Sequence, residues 1–279
     1  MREKSNENRE RLNRIMILEE THIHHEKTVR KLLARRGFDI WKEPSGNAND
    51  FPDVGASIDI DGTPLNLHIE VKGSKDTTMG QIRNWVYKDG MFSATKITSP
   101  NTALMIDILN SIPEAGKKAD YILKQLRKYF SRKVDELSQS SLLVIKDVEK
   151  RNEKLHDFMD NYEGSYHIIS QASSEYGQLI LEHYRSKFVP RPGMNVLMFA
   201  IDRQLFLVDM PSMPGKRKIR TLCQHLGVDN LPLFPENFTA AIECRISPST
   251  LEGRGQVRLD TVLRLRATGL SRFTGPLLT

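Results

Sequence analysis

The chain has 279 residues, enough for one large domain or two small ones, and its formal charge of +6 is compatible with a polyanionic partner. Its two cysteines lie in different segments, which argues against a disulfide framework and against a thiolate zinc site. The N-terminus is charged, and no apolar run approaches the roughly 18 residues that a membrane helix needs. These features predict a cytoplasmic protein that does not associate with membranes.

The first predicted elements are a helix, a short strand and a loop. Residues 1–36 are predicted to be helical, because apolar side chains recur near helical spacing, and Gly37 is the expected C-cap after two arginines. A short strand is predicted in FDIWKE. The Pro, Gly, Asn and Asp content of PSGNANDFPD predicts a loop.

A β-hairpin is predicted next. SIDI and LNLHIEVK are strand-like runs, and Asp61-Gly62 between them is a turn signal. The second run alternates strictly between apolar and polar residues, so the two sets of side chains point to opposite faces of the strand. Glu70 and Lys72 therefore share the polar face, about 6–7 Å apart. The apolar face, which is expected to pack on the core, consists of Leu65, Leu67, Ile69 and Val71.

The remainder of the chain is predicted to be helical first and strand-rich later. Residues 100–160 have a helical, highly charged pattern that suits an insertion or a dimerisation region. NVLMFAIDRQLFLVDM predicts two strands around Asp202-Arg203, PSMPGKRKIR a basic loop, and TAAIECRIS and GQVRLDTVLRLRA further strands. This order of elements predicts an α/β or α+β fold.

Two acids and a lysine lie at the margins of the predicted hairpin. Asp53 precedes the first strand, and Glu70 and Lys72 end the second. Carboxylates bind hard divalent cations such as Mg²⁺, and such a cation polarises a phosphodiester and orients a water molecule. A nearby lysine can hold the attacking water or offset the developing negative charge. The three residues therefore predict a site for phosphodiester hydrolysis.

The same residues resemble a known motif. Pro52-Asp53, a gap that accommodates one β-turn-β unit, and then Glu70-Val71-Lys72 resemble the PD-(D/E)xK motif of the restriction-endonuclease-like nuclease superfamily. In that family a helix bearing an acid, a glycine and a first strand precede the hairpin, and HEKTVRKLLARRGFDI has this composition here. The resemblance covers roughly residues 20–90, and the expected catalytic core spans residues 20–95.

The resemblance implies a mixed sheet flanked by helices and Mg²⁺-dependent hydrolysis of DNA, with Mn²⁺ as a substitute cofactor. By this comparison Asp53 and Glu70 are metal ligands and Lys72 positions or activates water. Glu26 is a candidate either to bind a second metal or to order the site. Gln81 begins QIRNW, which resembles a glutamine-led helix that some members place near the metal or the phosphate.

Histidines offer a second, weaker metal hypothesis. HIHHE does not match HExxH because position 29 is valine, so a solvated or packed histidine cluster is the favoured interpretation. His68 shares the predicted strand face of Glu70. It is a candidate for active-site support or for a purely structural role.

Basic segments are candidates for contact with DNA, and each is also compatible with an ordinary solvated surface. RKYFSRK combines basic and aromatic residues on a predicted helix, KRKIR is compact, and arginines recur through the C-terminal strands. The C-terminal part, residues 190–279, is the preferred recognition region. The candidate DNA-binding residues are Lys216, Arg217, Lys218, Arg220, Arg254, Arg258, Arg264 and Arg266.

The favoured hypothesis is a single nuclease domain, residues 1–279, that cuts double-stranded DNA at a short sequence as a homodimeric type II restriction endonuclease. A structure-specific or DNA-repair nuclease is the enzymatic alternative, and a non-catalytic DNA-binding protein on a nuclease fold is another. A complex with a different partner subunit is a further alternative. The simplest alternative is an exposed hairpin whose acids and lysine form a surface ion pair, an interaction that stabilises little.

Overall fold

The computed structural model describes residues 24–44, 52–74, 77–83, 85–94, 100–112, 115–122, 124–125, 166–186, 195–251 and 256–279. The predicted helix before residue 24, the predicted helical segment between residues 126 and 160, and Arg254 lie outside these ranges. No helix of the described ranges is both long and apolar enough to cross a membrane.

The described part of the chain contains both strands and helices, as predicted for a mixed α and β fold. The strands are β1 (Asp39–Lys42), β2 (Val54–Ile60), β3 (Thr63–Lys72), β4 (Thr78–Arg83), β5 (Trp85–Lys88), β6 (Met91–Ala94), β7 (Tyr166–Ser173), β8 (Asn195–Ile201), β9 (Gln204–Leu207), β10 (Thr239–Leu251) and β11 (Gln256–Thr268). The helices are α1 (24–35), α2 (Pro100–Asn110), α3 (115–122), α4 (Ser174–Ser186) and α5 (Lys216–Leu226), and Leu270–Arg272 form a 3₁₀ turn.

The chain divides into two compact units. The first, called here the hairpin unit, comprises Asn13–Thr77, Ser174–Thr239 and Ala267–Thr279. The other, called the second unit, comprises Met1–Leu12, Thr78–Ser173 and Ala240–Arg266. The predicted segments 20–95 and 190–279 each contribute residues to both units.

The hairpin unit is built on a five-stranded mixed sheet in the order β1-β2-β3-β8-β9. β3 pairs antiparallel with β2 and parallel with β8. The β2–β3 turn is the predicted one: Asp61 and Gly62 both have positive φ, as a tight hairpin turn requires, and the Gly62 N–H donates to the Asp59 carboxylate at 2.8 Å. The predicted mixed sheet flanked by helices is therefore confirmed.

One face of this sheet forms the main hydrophobic core. The apolar residues predicted from the alternation in β3 are all buried there, and helices α1 and α5 pack over them through side chains such as Val29, Leu33 and Leu222. On the opposite face α4 packs against β8 and the end of β3: its Tyr184 ring contacts Phe199 on β8 with centroids 5.1 Å apart, and its hydroxyl contacts Glu70. The polar side chains of Glu70 and Lys72 at the end of β3 are therefore buried.

The second unit contains a four-stranded sheet in the order β4-β11-β10-β7 and a two-stranded ladder of β5 and β6. Helix α2 joins this ladder through Asn110, whose side chain bonds both backbone groups of Phe92, at 2.7 and 3.1 Å. The strands predicted in TAAIECRIS and GQVRLDTVLRLRA are confirmed as β10 and β11.

Two local predictions are wrong. QIRNW was predicted as a helix, but its first three residues end strand β4, where Ile82 is buried and pairs with Leu263 of β11. KRKIR was predicted as a loop, but it forms the first turns of α5. Ile219, Leu222 and Leu226 recur at helical spacing on the face that packs against the sheet.

Candidate active site

Asp53 is fixed against the end of β3 by the hairpin. It directly precedes β2, and the pairing of Val54 with Ile69 sets it opposite Glu70. The Val71 N–H donates to Asp53 Oδ2 at 2.8 Å. On the other side, Lys42 Nζ donates to the carbonyl of Pro52, the residue before Asp53. The Val71 N–H therefore holds the carboxylate, Lys42 fixes the backbone before it, and Asp53 stays partly exposed.

Glu70 and Lys72 form a buried ion pair. Lys72 Nζ lies 2.6 Å from Glu70 Oε1, and each residue is only 7% exposed. The Tyr184 hydroxyl donates to the same oxygen at 3.1 Å. The alternative of a solvated hairpin with a surface ion pair is therefore wrong, because Glu70 and Lys72 are both buried and Tyr184 of α4 contacts Glu70.

Tyr184 is the residue of the site that the sequence analysis missed. It stands 114 positions from Glu70 and carries no motif. Its only local signal is the helical recurrence of Ile180, Leu181 and Tyr184, which are all buried on one side of α4. That pattern predicts packing of the helix but does not indicate which strand it covers.

Glu26 and His25 bring the start of α1 to the same end of β3. Glu26 is 3% exposed, and its charge acts on Asp53. The ring of His25 lies so close to Gly73 that a Cβ there would stand 2.8 Å from His25 Cδ2. Glycine directly after Lys72 therefore permits this close approach of helix and strand.

The charges of the cluster are strongly coupled. Burial raises the pKa of Asp53, the neighbouring charge of Glu70 raises it further, and together they outweigh Lys72, so that the pKa is about 7. For Lys72, burial opposes the charged form, but the charges of Glu70, Tyr184 and Asp53 outweigh it and raise the pKa. Burial and the charge of Glu70 raise the pKa of Tyr184 well above its ordinary value. Lys72 is thus a permanent cation at neutral pH.

The donor set fits a divalent cation shared with a substrate. Within the described part of the chain, no three His, Cys, Asp or Glu side chains are grouped closely enough to hold a metal ion by themselves. Asp53 and Glu70 nevertheless supply two carboxylates, and Mg²⁺ commonly takes one or two from a protein and completes its shell with water and phosphate oxygens. A cation between them would also relieve the repulsion that raises the pKa of Asp53.

The raised pKa of Asp53 makes stability depend on pH. Because the folded state holds this proton more tightly than the unfolded state, its stabilising effect is present below about pH 4 and is lost as pH rises to about 7. Asp53→Asn keeps an acceptor for the Val71 N–H and removes the ionisation. Without divalent metal, we expect the variant to gain on the order of 2 kcal/mol over wild type between pH 5 and pH 8.

Denaturant unfolding at the two pH values measures this difference. Asp59→Asn is the matched control, because Asp59 is an exposed carboxylate on the same hairpin. Equal pH dependence of wild type and Asp53→Asn would contradict the raised pKa of Asp53, which burial and the charge of Glu70 cause together.

His68 and Gln81 have different surroundings. His68 is buried on the Glu70 face of β3, and its ring makes an edge contact with that of Trp41 at a centroid distance of 4.9 Å. Gln81 is an exposed residue of β4 in the second unit, where it pairs with Arg264 of β11. The structure therefore brings His68 next to the acid pair, and it assigns Gln81 to a different unit.

The basic candidates are also divided between the units. Lys216, Arg217 and Arg220 are exposed on α5, and Lys218 is half-buried. This helix packs on the sheet face opposite the Glu70–Lys72 pair. Arg217 pairs with Asp61 at 3.2 Å, at the turn end of the hairpin and thus far from Asp53. The predicted KRKIR cluster and the acid–lysine cluster therefore do not converge.

In the second unit, Arg264 and Arg266 are half-buried on β11. Arg266 Nη1 lies 3.4 Å from Oε1 of Glu243, which is 3% exposed. This pairing gives Arg266 a structural role within the sheet. The structure describes the backbone of Arg258 but not its side chain. Arg254 lies outside the described residues.

Comparison of the chain with protein-family models, with curated proteins and with solved structures found no match. The functional argument therefore rests on the geometry of the site. Its central feature is the cluster of Asp53, Glu70, Lys72 and Tyr184 at one end of a rigid hairpin.

Proposed function

We propose that the protein is a Mg²⁺-dependent endonuclease that hydrolyses double-stranded DNA at a specific short sequence, as a type II restriction endonuclease does. The observation that carries the proposal is the buried Glu70–Lys72 pair beside the partly exposed Asp53. Burying an ion pair rarely stabilises a fold more than apolar residues of the same volume. Clusters with strongly shifted pKa values are typical of functional sites.

The division of roles follows from the contacts. Asp53 and Glu70 would hold Mg²⁺, which when bound polarises the scissile phosphate and offsets charge on the leaving oxygen. Lys72, kept charged by Glu70, would orient the attacking water or stabilise the negative charge that develops on the phosphate. Glu26, on α1, would contribute its negative charge to the site and so help to raise the pKa of Asp53. Tyr184 would fix the orientation of Glu70.

Sequence specificity and dimerisation extend this proposal. The arginines of α5 and those of the second unit other than Arg266, which pairs with Glu243, are the candidate DNA contacts, since guanidinium groups suit phosphates and guanine edges. A palindromic target would be read by a symmetric homodimer, with one copy at each half-site.

The proposal is tested by digestion of a long, fully sequenced, unmethylated DNA with Mg²⁺ or with EDTA, followed by sequencing of the product ends. Discrete products that share one short sequence are expected only with Mg²⁺. Random ends, or ends only at junctions and nicks, would instead indicate a structure-specific or repair nuclease. DNA binding without any cleavage would indicate a non-catalytic binding protein.

Tyr184→Phe is expected to lower the cleavage rate about tenfold, because one hydrogen bond to a charged carboxylate is lost. The rate is measured against Mg²⁺ concentration. A residue that orients Glu70 should shift the Mg²⁺ dependence to higher concentrations, whereas a packing residue should not. Tyr176→Phe, two turns earlier on α4, is the control, and identical Mg²⁺ curves for both variants would contradict the role of Tyr184.

A further inference from the structure

Trp41 is a large aromatic residue that stays exposed next to the candidate active site. It is 44% exposed, whereas the chain's other tryptophan, Trp85, is 1% exposed. A β-bulge between Ile40 and Lys42 takes Trp41 out of the regular pairing of β1 with β2. Bulges often redirect a side chain beside a functional site.

The indole lies on the sheet face that carries Glu70 and Lys72. Its ring is against Gly55, where a Cβ would stand 2.6 Å from Trp41 Cζ2, and its centroid is 4.9 Å from that of His68. Gly55 pairs with His68 across the hairpin. The ring is therefore held by a glycine beneath it and a histidine beside it, and the residue is still 44% exposed.

The row formed by Gly55 and His68 is the next one along the hairpin from Asp53 and Glu70. Residues two apart on a strand share a face and are separated by about 7 Å. A DNA strand whose phosphate lies at Asp53 and Glu70 would place a neighbouring nucleotide over this row. Indole rings stack on nucleobases irrespective of base identity.

We infer that Trp41 is a stacking platform for one unpaired nucleobase of the DNA strand, next to the phosphate that the site would cleave. The inference rests on the proposed nuclease function. It deepens that proposal, because it specifies that the DNA strand bound at the site has one base displaced from the duplex. Stacking would offset part of the unfavourable free energy of taking the base out of the duplex.

Tryptophan fluorescence of the full chain tests this contact without cleavage. In the Trp85→Phe variant, with EDTA present, Trp41 is the single emitter, and the probe is an oligothymidine of about 12 nucleotides. We expect the probe to quench the emission. An oligomer of equal length with abasic sugars keeps the phosphates but has no bases. We expect it to leave the emission unchanged and to bind at least about tenfold more weakly than oligothymidine.

A binding measurement by fluorescence anisotropy of a labelled probe complements the quenching. Trp41→Ala is expected to weaken oligothymidine binding about tenfold or more. Leu277→Ala is the matched control, since Leu277 is 49% exposed and pairs with β9 at the opposite edge of the same sheet. It should bind as wild type does.

Four outcomes would overturn the inference. Unchanged Trp41 emission on bound DNA, or equal affinities of Trp41→Ala and Leu277→Ala, would exclude stacking while leaving the nuclease proposal intact. Equal binding of the abasic and thymidine oligomers would assign the contact to the backbone. If wild type bound no DNA of any form, both proposals would fail together.

Discussion

Lys72→Met is expected to destabilise the folded protein by about 3–5 kcal/mol and to abolish DNA cleavage. The substitution leaves the Glu70 carboxylate buried beside the Tyr184 hydroxyl and without the ammonium that lies 2.6 Å from it. Methionine fills a similar volume, so the loss reflects the uncompensated charge rather than a cavity. Urea unfolding at pH 8 gives the free energy of unfolding directly.

A double-mutant cycle of Lys72→Met, Glu70→Gln and the double variant separates the effect on folding stability from the effect on cleavage. In Lys72→Met/Glu70→Gln the buried charge is gone, and most of the lost stability is expected to return while cleavage stays absent. Lys88→Met is the control, because Lys88 forms an exposed pair with Asp89 and its loss should matter by less than about 0.5 kcal/mol. If Lys72→Met were as stable as Lys88→Met, the buried ion pair would be disproved.

Asp53→Ala is expected to reduce Mg²⁺-dependent cleavage about 1000-fold or more. One of the two carboxylates that would hold the metal is lost, and the scissile phosphate is no longer polarised or oriented. DNA binding should stay within about threefold of wild type, since removing a negative charge does not weaken contacts to phosphates. Single-turnover cleavage and anisotropy binding measure the two quantities on the same protein.

The control for this substitution is Asp59→Ala on the same hairpin. Asp59 is exposed near the turn and accepts only the Gly62 N–H among the contacts described for it. Asp59→Ala should therefore cleave at the wild-type rate. Cleavage by Asp53→Ala at the rate of Asp59→Ala would remove Asp53 from the catalytic site.

The hairpin and its core face could be predicted because their signals are local. Strict alternation from Leu65 to Lys72 determines which side chains share a face, and Asp61-Gly62 determines the turn. Both features are properties of a few consecutive residues. The opposition of Asp53 and Glu70 follows from the same register.

The burial of the polar face could not be predicted in this way. Alternation predicts a polar strand face, and polar faces are usually exposed to solvent. Here α4 brings Tyr184 over Glu70 and Lys72 from more than 100 positions away along the chain. Contacts of this sequence separation leave no periodic signal, so the ion pair was expected to be either catalytic or solvated.

The two wrong local predictions also have physical reasons. In α5 the basic run masks the apolar positions that pack on the sheet, and Pro214-Gly215 suggested a loop that in fact only precedes the helix. The helix at QIRNW is implied only by the resemblance, and its two apolar residues, Ile82 and Trp85, are too few to distinguish a helix from a strand. Pairing of Ile82 with Leu263 of β11 makes the first three residues a strand. Tertiary pairing overrides local preference in such short segments.

The central claim is that Asp53, Glu70 and Lys72 form a metal-dependent site for phosphodiester hydrolysis. The most direct measurement is a time course of strand breakage in a mixture of long, unmethylated DNAs with wild type, Asp53→Ala and Asp59→Ala, each with Mg²⁺ or EDTA. The account predicts breakage by wild type and Asp59→Ala with Mg²⁺ only, and none by Asp53→Ala. Breakage by Asp53→Ala at the wild-type rate, or no breakage by wild type with Mg²⁺, would contradict it.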